Sequence, residues 1–256
     1  VLWANLGRKH SLNKISILIL GIFFEVVLYF TKLDSVFLPR PSAVLLRLAE
    51  LSIDQLFLTD ILHSFLRLLV GGILAIPVGL FFALALHGSR IFSFWVEPIL
   101  NASYPLPKVA LFPLLLVFFG IGESAKIAMI FLGFFYAVVI NALAGFQRLD
   151  AEGYVGLAGL YRINFLQYTY QILIKGALPE ILVGMKLGIG YGLTMTIVSE
   201  FSLSETGLGV RLWNSWDAFR VIDIYVCLFV IGAIGLAASS LMNQLQKRLL
   251  IRNAKI

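Results

Sequence analysis

Apolar positions in this chain come in long runs with few charged interruptions, at residues 15–30, 64–86, 127–145, 181–199 and 224–242, with a sixth broken stretch before residue 119. A helix needs roughly 20 apolar residues to cross the hydrocarbon of a bilayer. Barrel strands would alternate every second residue, and these runs do not. The pattern therefore predicts an all-helical membrane protein with six spans. The third is irregular: Glu97-Pro98, Tyr104-Pro105-Leu106-Pro107 and Pro113 interrupt it before the run at 114–119. Turn signals sit at Leu38-Pro39-Arg40-Pro41-Ser42 and Gly120-Ile121-Gly122-Glu123-Ser124. One polar stretch follows the fourth span and runs into the start of the fifth, carrying Arg148, Asp150, Glu152, Arg162, Asn164, Lys175, Glu180 and Lys186.

Composition strengthens the membrane reading. Apolar residues make up 60% of the chain and charged residues 13%, where a soluble domain carries about a quarter charged. The net charge of +6 fits the gathering of Lys and Arg on the cytoplasmic side and gives no reason to invoke nucleic acid. Arg8, Lys9, Lys14, Arg90, Arg148, Arg162, Lys175, Lys186 and the basic tail fall on one side. That side is expected to be cytoplasmic, with both termini and the central polar stretch. No small-x-small cleavage site follows the first run, so it is expected to stay as a span. Cys227 is the single cysteine, and His10, His63 and His87 lack metal-ligand spacing.

Four features carry candidate chemistry. The segment at 157–174 has room for one or two short helices at the membrane surface, ended by Gly176 and followed by Pro179 in the first turn of the next helix. It is either a docking element for a soluble partner or an ordinary amphipathic loop. The prolines of the third span each remove a backbone donor, and such backbone must pack on protein or line a watery cavity. A kinked packing helix or a re-entrant connection stands as the alternative. Glu25 lies within the first span with no evident partner, while Glu200 lies near the outer end of the fifth and is expected to be solvated. Gly71-Gly72 and Gly188-Ile189-Gly190 are expected to permit close helix contact. No nucleophile with its base, phosphate-cradling loop or acid pair is present. The chain is read as having no catalytic residues, no metal and no cofactor, so that any ATP is bound by a partner.

Five stretches in order resemble the membrane-spanning permease subunits of bacterial ABC importers, in the branch for nitrate, sulfonates such as taurine, and bicarbonate. They are Leu38-Pro39-Arg40-Pro41-Ser42-Ala43-Val44, Tyr104-Pro105-Leu106-Pro107 through Pro113, Phe119-Gly120-Ile121-Gly122-Glu123-Ser124-Ala125-Lys126, Asn141-Ala142-Leu143-Ala144-Gly145 and Ser204-Glu205-Thr206-Gly207-Leu208-Gly209. The resemblance covers residues 37–250. In that family a Glu-Ala-Ala, Gly, Leu-Pro pattern after the fourth span forms a coupling helix that docks on the ATPase. Gln167 and Ala177-Leu178-Pro179 fit it. The family Glu falls on Val155 or Gly156 and the family Gly on Tyr161 or Arg162, with Ala158 retained.

The resemblance implies a type I importer transmembrane domain spanning residues 1–256, with both termini cytoplasmic and a coupling segment at about 147–180. It implies a second permease copy as a homodimer, two ATP-binding subunits that hold ATP and magnesium, an external solute-binding protein, and the bacterial inner membrane. Coupling falls to Gly156, Ala158, Gly159, Tyr161, Arg162, Gln167, Leu178 and Pro179. The translocation path is assigned to Pro105, Pro107, Met195, Ser199 and Glu200. A small anion is the cargo the family points to, with thiamine precursors and other small organic molecules as alternatives. An ATPase-independent transporter or channel, and a non-transporting membrane scaffold, are the alternatives.

Overall fold

The structure, a computed structural model, describes residues 19, 21–30, 37–154, 164–201 and 204–253, with side chains to residue 249. The described residues form helices and turns without strands. In chain order these are α1 (Gly21–Phe30), α2 (Pro41–Leu51), α3 (Gln55–Gly88), α4 (Arg90–Ser103), a short 3-10 turn (Lys108–Leu111), α5 (Phe112–Phe119) and α6 (Glu123–Ala151). There follow α7 (Phe165–Gln167), which runs into a π-helical segment (Tyr168–Ile174), α8 (Leu178–Phe201), α9 (Leu208–Asp217) and α10 (Val221–Asn253).

Among the described residues, four helices are long and apolar enough to cross a membrane: Gln55–Gly88, Glu123–Ala151, Leu178–Phe201 and Val221–Leu249. They coincide with the second, fourth, fifth and sixth expected spans. The expected third span is α4 and the stretch Lys108–Phe119, which meet at 105°. Pro105 and Pro107 offer no N–H to continue α4, and Pro113 is accepted in the first turn of α5. Counted as one, this pair makes a fifth span. Residues 15–18 and 20 of the expected first span lie outside the described residues; the described part is Ile19 and the ten-residue α1.

The chain divides into two compact units. In the first, made of the described parts of Val1–Thr59 with Arg211–Val230, Glu25 has a clear partner that sequence reasoning did not supply. Ser42 N donates to its Oε2 at 3.0 Å and Ser42 Oγ to its Oε1 at 2.7 Å. Arg40, at the N-cap of α2, has no capping side chain. Glu25 thus caps a helix start whose free N–H groups favour a carboxylate. Arg47 of α2 donates through Nε to Asp223 at 2.7 Å and through Nη1 to Glu50 at 2.8 Å.

In the second unit, Asp60–Val210 with Ile231–Ile256, α6 and α8 pack antiparallel. Gly133 meets Met195, Phe134 meets Gly188 and Gly192, Ala137 meets Gly184, and Gly145 meets Ala177. The glycines are needed there. A Cβ on Gly188 would lie 2.6 Å from the Phe134 ring, and one on Gly192 would overlap it. Gly188 was expected to permit close contact and does so, whereas Gly190 faces open space. Leu68, Ala75, Met129, Ile130, Phe134 and Met195 form one core. Phe146, Leu149, Leu173, Ala177 and Ile181 form a second, at the other end of the α6–α8 pair.

Candidate translocation cavity, latch and coupling surface

The break in the third span borders a cavity of about 360 Å³. Tyr104, Pro105, Leu106, Pro107 and Lys108 form one wall; Gly133, Tyr136 and Asn141 of α6 with Leu187, Tyr191 and Met195 of α8 form the rest. Three of the five expected path residues, Pro105, Pro107 and Met195, therefore share one cavity. The other two do not reach it. Ser199 is fully buried and donates to Thr196 O at 2.9 Å. Glu200 was expected to be solvated, and the structure overturns this: it is 0% exposed.

Glu200 is the centre of a polar latch. Arg67 Nη1 donates to its Oε1 at 2.7 Å, Ser64 Oγ to its Oε2 at 2.8 Å, and Gly209 N to Oε2 at 2.9 Å. The Arg67 guanidinium also forks onto Glu123, at 2.6 and 2.7 Å, and reaches Thr206 O at 2.8 Å. Lys126 adds bonds to Glu123 and Ser204, both at 3.0 Å. Three consecutive amides at the start of α9 are held: Gly207 N by Asp60 at 2.8 Å, Leu208 N by Ser64 at 2.8 Å, and Gly209 N by Glu200. Gly207 has φ +128°, and a Cβ there would lie 2.5 Å from the Glu200 carboxylate. Only glycine suits this position on both counts. Arg67 and Glu200 satisfy each other in a dry site where an unpaired charge would be costly.

At the opposite end of α6, Arg148 makes a second clamp. Its Nε donates to Glu180 at 2.8 Å, its Nη1 to Glu152 at 2.9 Å, and its Nη2 to the Gly176 carbonyl at 3.0 Å. The first turn of α8, with Leu178 and Pro179, is thereby fastened to the end of α6. Asn164 caps α7 by accepting from Gln167 N at 2.8 Å. Burial, then the nearby Asp150 charge, pushes the Tyr168 hydroxyl above its ordinary pKa. Phe165, Leu166 and Tyr170 are exposed, although they are large and apolar. Of the expected coupling residues, Gln167, Leu178 and Pro179 lie on this described surface. Gly156, Ala158, Gly159, Tyr161 and Arg162 lie outside the described residues.

Comparison with known proteins bears on this architecture. Residues 75–253, more than half of the chain, match the family described as binding-protein-dependent transport system inner membrane components. The chain belongs to this family. It is 27% identical over 253 residues to the taurine transport system permease protein TauC of Escherichia coli, covering 95% of this chain and 90% of that one. A putative aliphatic sulfonates transport permease protein, SsuC of Bacillus subtilis, is 25% identical over 213 residues, covering 83% and 77%. The nitrate import permease protein NrtB of Synechocystis is 26% identical over 177 residues, covering 69% and 64%. The chain is thus an ABC permease of the inner membrane, similar to the taurine, sulfonate and nitrate branch.

Sequence reasoning missed several residues of this permease. Arg67 and Lys108 lie near the ends of expected spans, where the distribution of charge between the two sides assigns them no role. Their signal was nonetheless available. Arg67, Glu123 and Glu200 are opposite charges expected at the same end of three different spans, where each needs a partner. Lys108 directly follows the prolines that break the third span.

Proposed function

We propose that this permease forms the translocation path of an ABC importer for a small oxyanion. It works as a pair of permease copies, with two ATP-binding subunits on the cytoplasmic side and a solute-binding protein outside. ATP and magnesium belong to the ATP-binding subunits, and this chain has no enzymatic role. The observation that carries the reading is the broken third span, whose Pro105 and Pro107 face Met195 across a cavity between the latch and the Arg148 clamp. Interrupted spans beside a cavity are where transporters hold their cargo. The relatives named for taurine, aliphatic sulfonates and nitrate support a small anion as that cargo.

In this reading both termini and residues 147–180 face the cytoplasm, and the Glu200 latch faces outward. Exposed Phe165, Leu166 and Tyr170 supply an apolar surface for the ATP-binding subunit. Closure of those subunits on ATP pulls this segment and, through Arg148, the α6–α8 pair. Partners that bind one arrangement more tightly shift the population toward it. The buried charges at the latch are mutually paired and lie at helix ends, which favours a fastening role over an ion path through the bundle.

Mild-detergent co-purification of the tagged chain tests this, followed by ATPase assay and reconstituted uptake of radiolabelled taurine and nitrate. A stoichiometric ATP-binding protein and ATP-driven uptake of either anion are expected. A chain that purifies alone in several detergents, with no ATPase activity, would sink the importer reading.

A further inference from the structure

Lys108 differs from the cations of the latch, the clamp and the α2 ion pairs. Arg47, Arg67, Lys126 and Arg148 each hold a carboxylate within 3.0 Å. Among the described residues no carboxylate forms an ion pair with Lys108. It opens the turn between the two halves of the broken span and is half-buried. Its Nζ lies 4.8 Å from the Tyr104 ring centroid and 4.6 Å from that of Tyr136, and it donates to the Tyr104 carbonyl. The two rings and one carbonyl hold the ammonium at the wall of the 360 Å³ cavity without neutralising it. A cation held in an apolar membrane protein calls for a counter-charge.

The remaining wall is suited to a small ligand. It is largely apolar, with few polar groups, and its volume falls in the usual range for small-molecule sites, roughly 300–1,000 Å³. Tyr191, whose side chain carries a hydroxyl, lines the same cavity. Asn141 Nδ2 donates to Ala137 O at 2.8 Å, and an amide nitrogen has a second hydrogen to give. These are donors, which an oxyanion needs. Pro105 and Pro107 bring no N–H of their own, and Lys108 is the charged residue among those lining the cavity.

We propose that Lys108 is the anion-binding group of the permease's own cavity, and that the cavity takes a small oxyanion of the nitrate or sulfonate class. Recognition of cargo then resides partly in this chain and not solely in an external protein. The identity of the anion rests on the importer reading; the binding itself does not.

The test uses the full chain purified in non-ionic detergent, titrated calorimetrically with sodium nitrate and sodium methanesulfonate. Saturable binding of at least one anion is expected. Lys108→Gln should weaken it by about tenfold or more, and Lys108→Arg should keep it within a few-fold. Acetylation of the wild-type protein, read by mass spectrometry, supplies a measurement free of any folding defect: the anion should protect Lys108. Equal affinity in Lys108→Gln, or no saturable binding and no protection in the wild type, would overturn the assignment. A loss of co-purified phospholipid in Lys108→Gln, with no effect of free anion, would also overturn it and give Lys108 to a lipid phosphate. These results are separate from ATPase co-purification. A chain that binds anions through Lys108 yet recruits no ATPase would sink the importer reading and leave the site standing.

Discussion

Glu200 and Gly207 show how much one residue can fix in this permease. Glu200 is fully buried and accepts from Arg67, Ser64 and Gly209, so its removal strands three donors at once. Glu200→Ala should destabilise the fold by about 3–5 kcal/mol, the usual cost of breaking one side of a buried pair. Denaturant titration in detergent, followed by tryptophan fluorescence, checks this; a midpoint equal to wild type would show that Glu200 is not the anchor described. Arg67→Lys should not restore the latch, because an ammonium cannot fork onto Glu123 while reaching Glu200. Gly207→Ala places a Cβ 2.5 Å from the Glu200 carboxylate at φ +128°. It should cost about 1–3 kcal/mol by the same titration.

Among elements, the α6–α8 pair is the frame, and the clamp at its far end fastens the first turn of α8 to the end of α6, beside the segment proposed to couple to the ATPase. Arg148 is partly exposed, 39% for its side chain, so its ion pairs contribute only about 1 kcal/mol or less to stability. Its importance lies in geometry: one guanidinium ties Glu152, Glu180 and the Gly176 carbonyl together. Arg148→Met should therefore insert and fold normally while ATP-driven uptake falls. Leu178→Ala with Pro179→Ala, which loosens the same junction, should act in the same direction. Uptake assays in proteoliposomes at matched protein amounts decide it, and unchanged rates for both would count against a coupling role for this junction.

For the molecule as a whole, the latch and the clamp occupy opposite ends of one helix pair and should fail in different ways. Clamp variants should lose ATP-driven uptake together with the stimulation of ATP hydrolysis. A latch variant that still folds, such as Arg67→Lys, should hydrolyse ATP while uptake falls about tenfold, within the ordinary range of coupling between sites. ATPase and uptake measured on the same proteoliposomes separate the two outcomes. A parallel loss of both activities in latch variants would mean that the two ends are not functionally distinct.

The apolar pattern alone determined that the chain is a helical membrane protein and where α3, α6, α8 and α10 lie, because a bilayer demands long apolar helices. The same pattern located the proline break at residues 104–107, since proline chemistry is local. Ordered motifs also placed the chain among importer permeases. What tertiary structure decided were the partners: Ser42 for Glu25, Arg67 for Glu200, Glu180 for Arg148, and the aromatic rings around Lys108. Glu200 sits near a span end, where the sequence is equally compatible with water or with a partner. Its burial depends on the turn at 204–207 and the start of α9 folding back over it, and on an arginine 133 positions away. Contacts between residues so far apart depend on how helices pack, and helix packing leaves little trace in a one-dimensional pattern of apolar runs.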